Sequence, residues 1–194
     1  MPIDLKGAPS PVRPYGVSNE GKRVFRADLI EDATRLLAVC KSKSLLLATA
    51  ESCTGGLISA LLTEIPGASA VLDRGFVTYS DDAKIEMLGV HAEIIQHHGA
   101  VSDETVRAMA HGALIHSEAD LAIAVTGIAG PDGGSLEKPV GLVHLAVARI
   151  GGSTLHRECR YGAIGRAAIR KNTVRDALAL AREAIEHDDP AAME

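Results

Sequence analysis

The sequence predicts an α/β fold: a three-layer α/β/α sandwich around a mixed, mostly parallel sheet. Short runs such as "SLLLATA" (44–50) and "ADLAIAVTG" (119–127) are apolar on both faces, as interior strands are. Between such runs lie segments with apolar residues at helical spacing, and this alternation places helices on both faces of one sheet. The 194 residues suffice for one domain with a substantial core, and 46% hydrophobic residues supply it. Aromatic residues make up only 3%, so Ala, Leu, Ile and Val must build that core.

Residues 1–24, rich in Pro, Gly and Ser, read as a flexible N-terminal arm; 25–187 read as one domain and 188–194 as a short tail. "RADLIEDATRLLAVCKSK" sets Leu29, Ile30, Ala33, Leu36, Leu37 and Cys40 on one helical face. The strand over 44–50 follows, then a helix from Thr54 to Ile65 that stops before Pro66. "RGFVTYS" is a second strand, and Ser80 can cap the helix "DDAKIEMLG". "HAEIIQHH" is a short helix closed by Gly99, and Ser102 opens the amphipathic "DETVRAMAHGALIHSE". After the strand at 119–127, "VGLVHLAVARI" and "TLHRECRYG" form a hairpin through Gly151 and Gly152, the second polar enough for a sheet edge. A helix from Arg166 to Glu186 ends the domain.

A formal charge of −5 leaves no general basic footprint, so no direct nucleic-acid binding is expected. Cys40, Cys53 and Cys159 form no CxxC pair, which fits a reducing cytoplasm. No apolar run reaches the roughly 18 residues of a membrane-spanning helix, and no signal-peptide pattern opens the chain. The eight histidines make no HExxH or HxxxH pattern, so no metal is expected; His144, inside an apolar strand, reads as a core histidine.

Three stretches adjoin strand ends, where open α/β sheets gather ligands. In "AESCTGG", Ser52 is a nucleophile beside the amides of a helix N-terminus, or simply that helix's cap. In "VTYSDDAK", Lys84 is a general base if burial lowers its pKa, or a solvated lysine pairing with Asp81 or Glu86. "VTGIAGPDGGSLEKPVG" carries glycines that let backbone amides approach a ligand, without Walker or GxGxxG spacing. Arg166 and Arg170, four residues apart on one helix face, can clamp a phosphate or line an exposed surface.

The blocks "TAESCTGG" (49–56), "DRGFVTYSDDAK" (73–84), "HGAVS" (98–102), "AVTGIAGPDGGSLEKPVG" (124–141) and "GRAAIR" (165–170), in that order, resemble the CinA C-terminal-domain family. The resemblance implies an α/β sandwich and, in its enzymatic members, hydrolysis of nicotinamide mononucleotide to nicotinic acid mononucleotide and ammonia. It implies a serine amidase with a lysine base and no cofactor, with Ser52, Lys84 and Tyr79 as catalytic residues, in a stand-alone form of the domain. Substrate and oxyanion binding then fall to Cys53, Thr54, Gly55, Thr126, Gly127, Ile128, Ala129, Gly130, Gly133, Gly134, Arg166 and Arg170. Amides at the start of the 54–65 helix, with Thr126, would hold the oxyanion; Cys53 reads either as a nucleophile, though no motif pairs it with a histidine base, or as a small buried neighbour of the serine. "YGAIGRAA" departs from the family's more acidic stretch there, which bears on the phosphate role of Arg166. The Ala-rich last helix, the edge strand and the family analogy point to a homo-oligomer. The alternatives are a nucleotide-binding regulator without catalysis, tied to competence or DNA damage, and an amidase of another carboxamide.

Overall fold

The structure, a computed structural model, describes residues 24–187. The expected N-terminal arm, but for Val24, and the expected tail lie outside the described residues. In chain order the elements are α1 (Ala27–Ser42), β1 (Leu47–Glu51), α2 (Leu57–Thr63), a short 3-10 turn (Ala68–Ala70), β2 (Leu72–Val77), α3 (Asp81–Leu88), α4 (Ala92–His98) and α5 (Asp103–Ile115). Then follow β3 (Leu121–Gly127), β4 (Leu142–Arg149), β5 (Leu155–Arg160) and α6 (Arg166–His187).

The sheet order is β2-β1-β3-β4-β5, with β1 parallel to both neighbours and β4 antiparallel to β3 and β5. Only β4 therefore runs against the rest, and the sheet is mixed and mostly parallel, as the sequence predicts. Strands β4 and β5 form the expected hairpin, with β5 at an edge.

The two faces of the sheet are built from different residues. Leu47, Ile123, Val125, Leu145 and Val147 face α1, α2 and α6 in one core. Ala50, Ala122, Ala124, Ala146 and Ala148 meet Val106, Met109, Ala110 and Ala113 of α5 in the other. Small side chains on both partners let that helix lie close to the strands, so a core poor in aromatics still fills. Residues alternate between faces along each strand, which places Thr49 and Glu51 on the same side as Leu47, toward α2.

Both helix caps expected from serine are present: Ser80 Oγ accepts from the Ala83 amide at 3.1 Å, and Ser102 Oγ from the Thr105 amide at 3.2 Å. The helix expected from Thr54 begins instead at Leu57. Gly55 and Gly56 have φ of 58° and 91°, a left-handed geometry that a right-handed helix excludes and that glycine adopts without strain. "SCTGG" is consequently a turn, and this turn carries the site.

Candidate active site

The chain leaves β1 toward β2 on one side and returns to β3 on the other, so the carboxyl ends of β1 and β3 flank a topological switch point where open α/β sheets bind ligands. A cleft of about 220 Å³ opens there. Ser52 and Cys53 reach it from the end of β1, Tyr79, Asp81 and Lys84 from the β2–α3 junction, Ala100 and Val101 from the α4–α5 link. Thr126, Gly127 and Ala129 enter from the end of β3, and Arg166 from the start of α6.

A buried carboxylate organises the Ser52 turn. Glu51 is fully buried, and its two oxygens accept from the amides of Gly56 (3.0 Å), Ile58 (3.0 Å) and Ser59 (2.9 Å) and from Ser59 Oγ (3.0 Å). Ser59 Oγ in turn lies 2.6 Å from Thr49 Oγ1. The carboxylate thus caps α2 from the preceding strand, where it satisfies otherwise orphaned donors and sits at the positive end of the helix. Gly75 makes room for this network: a Cβ there would lie 2.3 Å from Ser59 Oγ.

This arrangement corrects the expected oxyanion site. The α2 amides are taken by Glu51, Gly55 N–H donates to Ser52 O at 3.0 Å and Leu57 N–H to Thr54 O at 3.4 Å. These bonds leave the amides of Cys53 and Thr54. Thr126 offers no donor either, because its hydroxyl donates to Ala100 O at 2.7 Å.

Lys84 is the largest fully buried side chain of the fold. Its Nζ donates to the carbonyls of Thr78 (3.2 Å), Tyr79 (3.5 Å) and Ser80 (3.2 Å), and Asp81 Oδ1 lies 3.6 Å away. Three carbonyls match the three donors of an ammonium. Burial pulls the amine's pKa below the ordinary lysine value, while the Asp81 carboxylate opposes that shift. The solvated alternative is thereby excluded, although the Asp81 partner it named is present. Nearby Cys53 is an inert thiol, which burial pushes up to about 12.

The two arginines part company. Arg166 donates to Gly130 O (3.0 Å) and to Tyr79 Oη (3.1 Å) at the mouth of the cleft. Arg170 points behind the turn and donates to Thr54 O at 2.6 Å, so it pins the backbone and lies outside the cleft lining. Of the other expected residues, Thr54, Gly55, Ile128, Gly130, Gly133 and Gly134 also lie outside the lining. Gly130 is tied to the site through its carbonyl. His144 is buried, with Nδ1 3.1 Å from His156 Nε2, a core histidine satisfied by a second histidine. Among the described residues no group of three or more His, Cys, Asp or Glu is placed to hold a metal.

The sequence profile of the CinA C-terminal domain matches residues 30–185. The chain belongs to the CinA C-terminal domain family. Over 153 residues it is 45% identical to the nicotinamide-nucleotide amidohydrolase PncC of Escherichia coli K12, covering 78% of this chain and 92% of that one. It is 50% identical over 130 residues to a putative competence-damage inducible protein of Caldicellulosiruptor bescii, covering 66% of this chain but 31% of that longer protein. The chain thus spans about a third of such longer relatives. The competence/damage inducible protein CihA of Agrobacterium tumefaciens, whose crystal structure is known, superposes with a TM-score of 0.83 at 56% identity, over 84% of this chain and 99% of that one. These neighbours share the sandwich of this CinA-family domain.

Of the residues expected at the site, Ser52, Cys53, Tyr79, Lys84, Thr126, Gly127, Ala129 and Arg166 line one cleft, and Asp81, Ala100 and Val101 of the lining, with Glu51 behind it, were not among them. Glu51 carried a usable signal. A carboxylate at the end of an apolar strand requires donors, and the helix that follows is their nearest source.

Proposed function

We propose that this CinA-family domain hydrolyses the carboxamide of nicotinamide mononucleotide to the carboxylate and ammonia. The observation that carries the reading is the meeting of Ser52, a buried Lys84 and the guanidinium of Arg166 in one cleft. The E. coli relative named for this activity, similar along most of the chain, supports it.

Ser52 Oγ attacks the carboxamide carbon as neutral Lys84 takes its proton, and the amide of Cys53, which lines the cleft, receives the oxyanion. The lysine passes that proton to the leaving nitrogen, and ammonia departs from an acyl-enzyme. Water then hydrolyses the ester, again with the lysine as base, and Ser52 is restored. Lys84 has to give up one carbonyl contact to reach the serine, a side-chain rotation within the cleft. Arg166, oriented by the Tyr79 hydroxyl, takes the phosphate, and the Gly127–Gly134 backbone flanks the ribose.

The test is ammonia release from nicotinamide mononucleotide by the wild type and by Ser52→Ala. Loss of the nucleophile lowers the rate at least about a thousandfold; a variant that still turns over removes Ser52 from the role. Tight nucleotide binding without ammonia release by the wild type would favour the regulator that relatives named competence-damage inducible suggest. A preference for the unphosphorylated nucleoside would favour another carboxamide. We also propose a homo-oligomer in the cytoplasm: three free cysteines fit a reducing compartment, and light scattering on the purified protein measures the oligomeric state.

A further inference from the structure

Charges in the cleft are few and separated. Lys84 is faced by Asp81 on its own helix and by the Cys53 thiol across the turn, while Arg166 and Tyr79 stand at the mouth. Among the described residues Asp81 is the only carboxylate of the lining. The lysine side chain is 1% exposed, but that of Asp81 is 55% exposed, so the carboxylate can turn outward to a ligand while the amine stays buried in the cleft. At 3.6 Å, with the lysine's donors also taken by carbonyls, the pair is a loose ion pair.

We propose that Asp81 is the specificity-determining residue of the cleft: it balances the Lys84 ammonium in the free protein and transfers to the substrate's pyridinium on binding, so that Lys84 loses its proton as the substrate arrives. The inference rests on the amidohydrolase reading and adds to it the origin of the neutral base. In a ribosylated nicotinamide, the ring nitrogen stands one ring atom away from the carbon bearing the carboxamide. Ser52 and Asp81 line the same cleft of about 220 Å³, so a carboxamide placed at Ser52 carries the ring's positive charge into the space Asp81 borders. Lys84 then loses a counter-ion and gains a like charge, both of which disfavour its ammonium form in a buried setting. The proton goes to solvent, and the free amine is ready to accept the next one from Ser52 Oγ. The phosphate meets Arg166 at the mouth, so the cleft selects a ligand that is cationic at the ring and anionic at the tail. An uncharged aromatic amide would leave the ion pair intact and the base protonated.

The experiment is titration calorimetry of nicotinamide mononucleotide into Ser52→Ala at about pH 8, below the ordinary lysine range, in two buffers of different ionisation enthalpy. Ser52→Ala should release between about a half and one proton per ligand bound. Ser52→Ala/Asp81→Asn should release clearly less, and Ser52→Ala/Lys84→Met none. The neutral benzamide C-nucleotide should release none from any of them. In turnover, Asp81→Asn should lose roughly tenfold in kcat/KM on the cationic nucleotide and gain on the neutral one. Asp81 is partly exposed and Ser80 still caps the helix, so a far-UV melt confirms that the variant folds. Binding without proton release, or an equal release with Asp81→Asn, overturns the Asp81 assignment alone. No binding of the nucleotide at all overturns the amidohydrolase reading with it.

Discussion

The two walls of the cleft are held in opposite ways. On the Ser52 side, Ser52, Cys53 and Thr54 of the turn are buried, and its backbone is bonded to Glu51, Val125 and Arg170. On the other side the Gly- and Pro-rich segment between β3 and β4 is tied at its root, where Ile128 and Gly141 exchange bonds with Leu142 and Ile128. Its tip is solvent-exposed, with the Leu136 side chain fully outside, and two side-chain bonds link it to the rest of the site, Arg166 on the Gly130 carbonyl and Lys138 on the His98 carbonyl. A nucleophile must be placed to within a fraction of an ångström, whereas a ribose phosphate tolerates a yielding wall. The difference assigns positioning for chemistry to the first wall and adaptable binding to the second.

Replacing Glu51 tests the first wall and gives the largest effect. Glu51→Ala leaves three amides and a hydroxyl without their buried acceptor, and stability should fall by roughly 3 kcal/mol. Denaturant titration measures that loss, and ammonia release should disappear even where the variant is folded. Glu51→Gln sharpens the point, because it keeps the shape but turns one acceptor into a donor facing other donors. It should fold, with kcat reduced far more than KM is raised. A Glu51→Gln enzyme with normal kcat would mean that the carboxylate supports only the helix.

On the second wall the expected signature is reversed. Arg166→Ala should raise KM for the nucleotide about tenfold, the worth of a charged hydrogen bond, with kcat nearly kept. Its stability should stay within about 0.5 kcal/mol of wild type, since the guanidinium is a surface group. Arg170→Ala should instead resemble Glu51→Gln, because its partner is the Thr54 carbonyl of the turn. If both arginines gave the same KM effect, the division between the walls would fail.

How far the sequence went follows from the same contrast. Among the described residues, apolar runs and helical spacing located every strand and α-helix but not the 3-10 turn at Ala68–Ala70, because those signals record burial, and Ser80 and Ser102 marked helix starts through their side chains. The start of α2 was misplaced because two adjacent left-handed glycines read as ordinary weak helix residues until their φ values are known. The site was legible where a residue type bears chemistry in itself, as at Ser52 and Lys84. What escaped was connectivity across the sheet. That Glu51 consumes the helix amides, that Thr126 donates to Ala100, and that Arg170 turns behind the strand depend on pairings between distant segments, which local patterns do not encode.

The smallest effect concerns the neighbour of the nucleophile. Cys53 is buried, and its thiol is held far above neutral, so at physiological pH it carries almost no thiolate. Cys53→Ala removes one sulfur from a core that can partly close over the gap, at a stability cost of about 1 kcal/mol. The backbone amide at position 53, assigned to the oxyanion, is kept by the substitution. Ammonia release should therefore stay within about threefold of wild type, a change in barrier below 1 kcal/mol. Thiol-directed alkylation should likewise leave the folded enzyme active. A large loss from Cys53→Ala with an unaltered melt would transfer the nucleophile from serine to cysteine, and the two adjacent side chains of the turn would exchange roles.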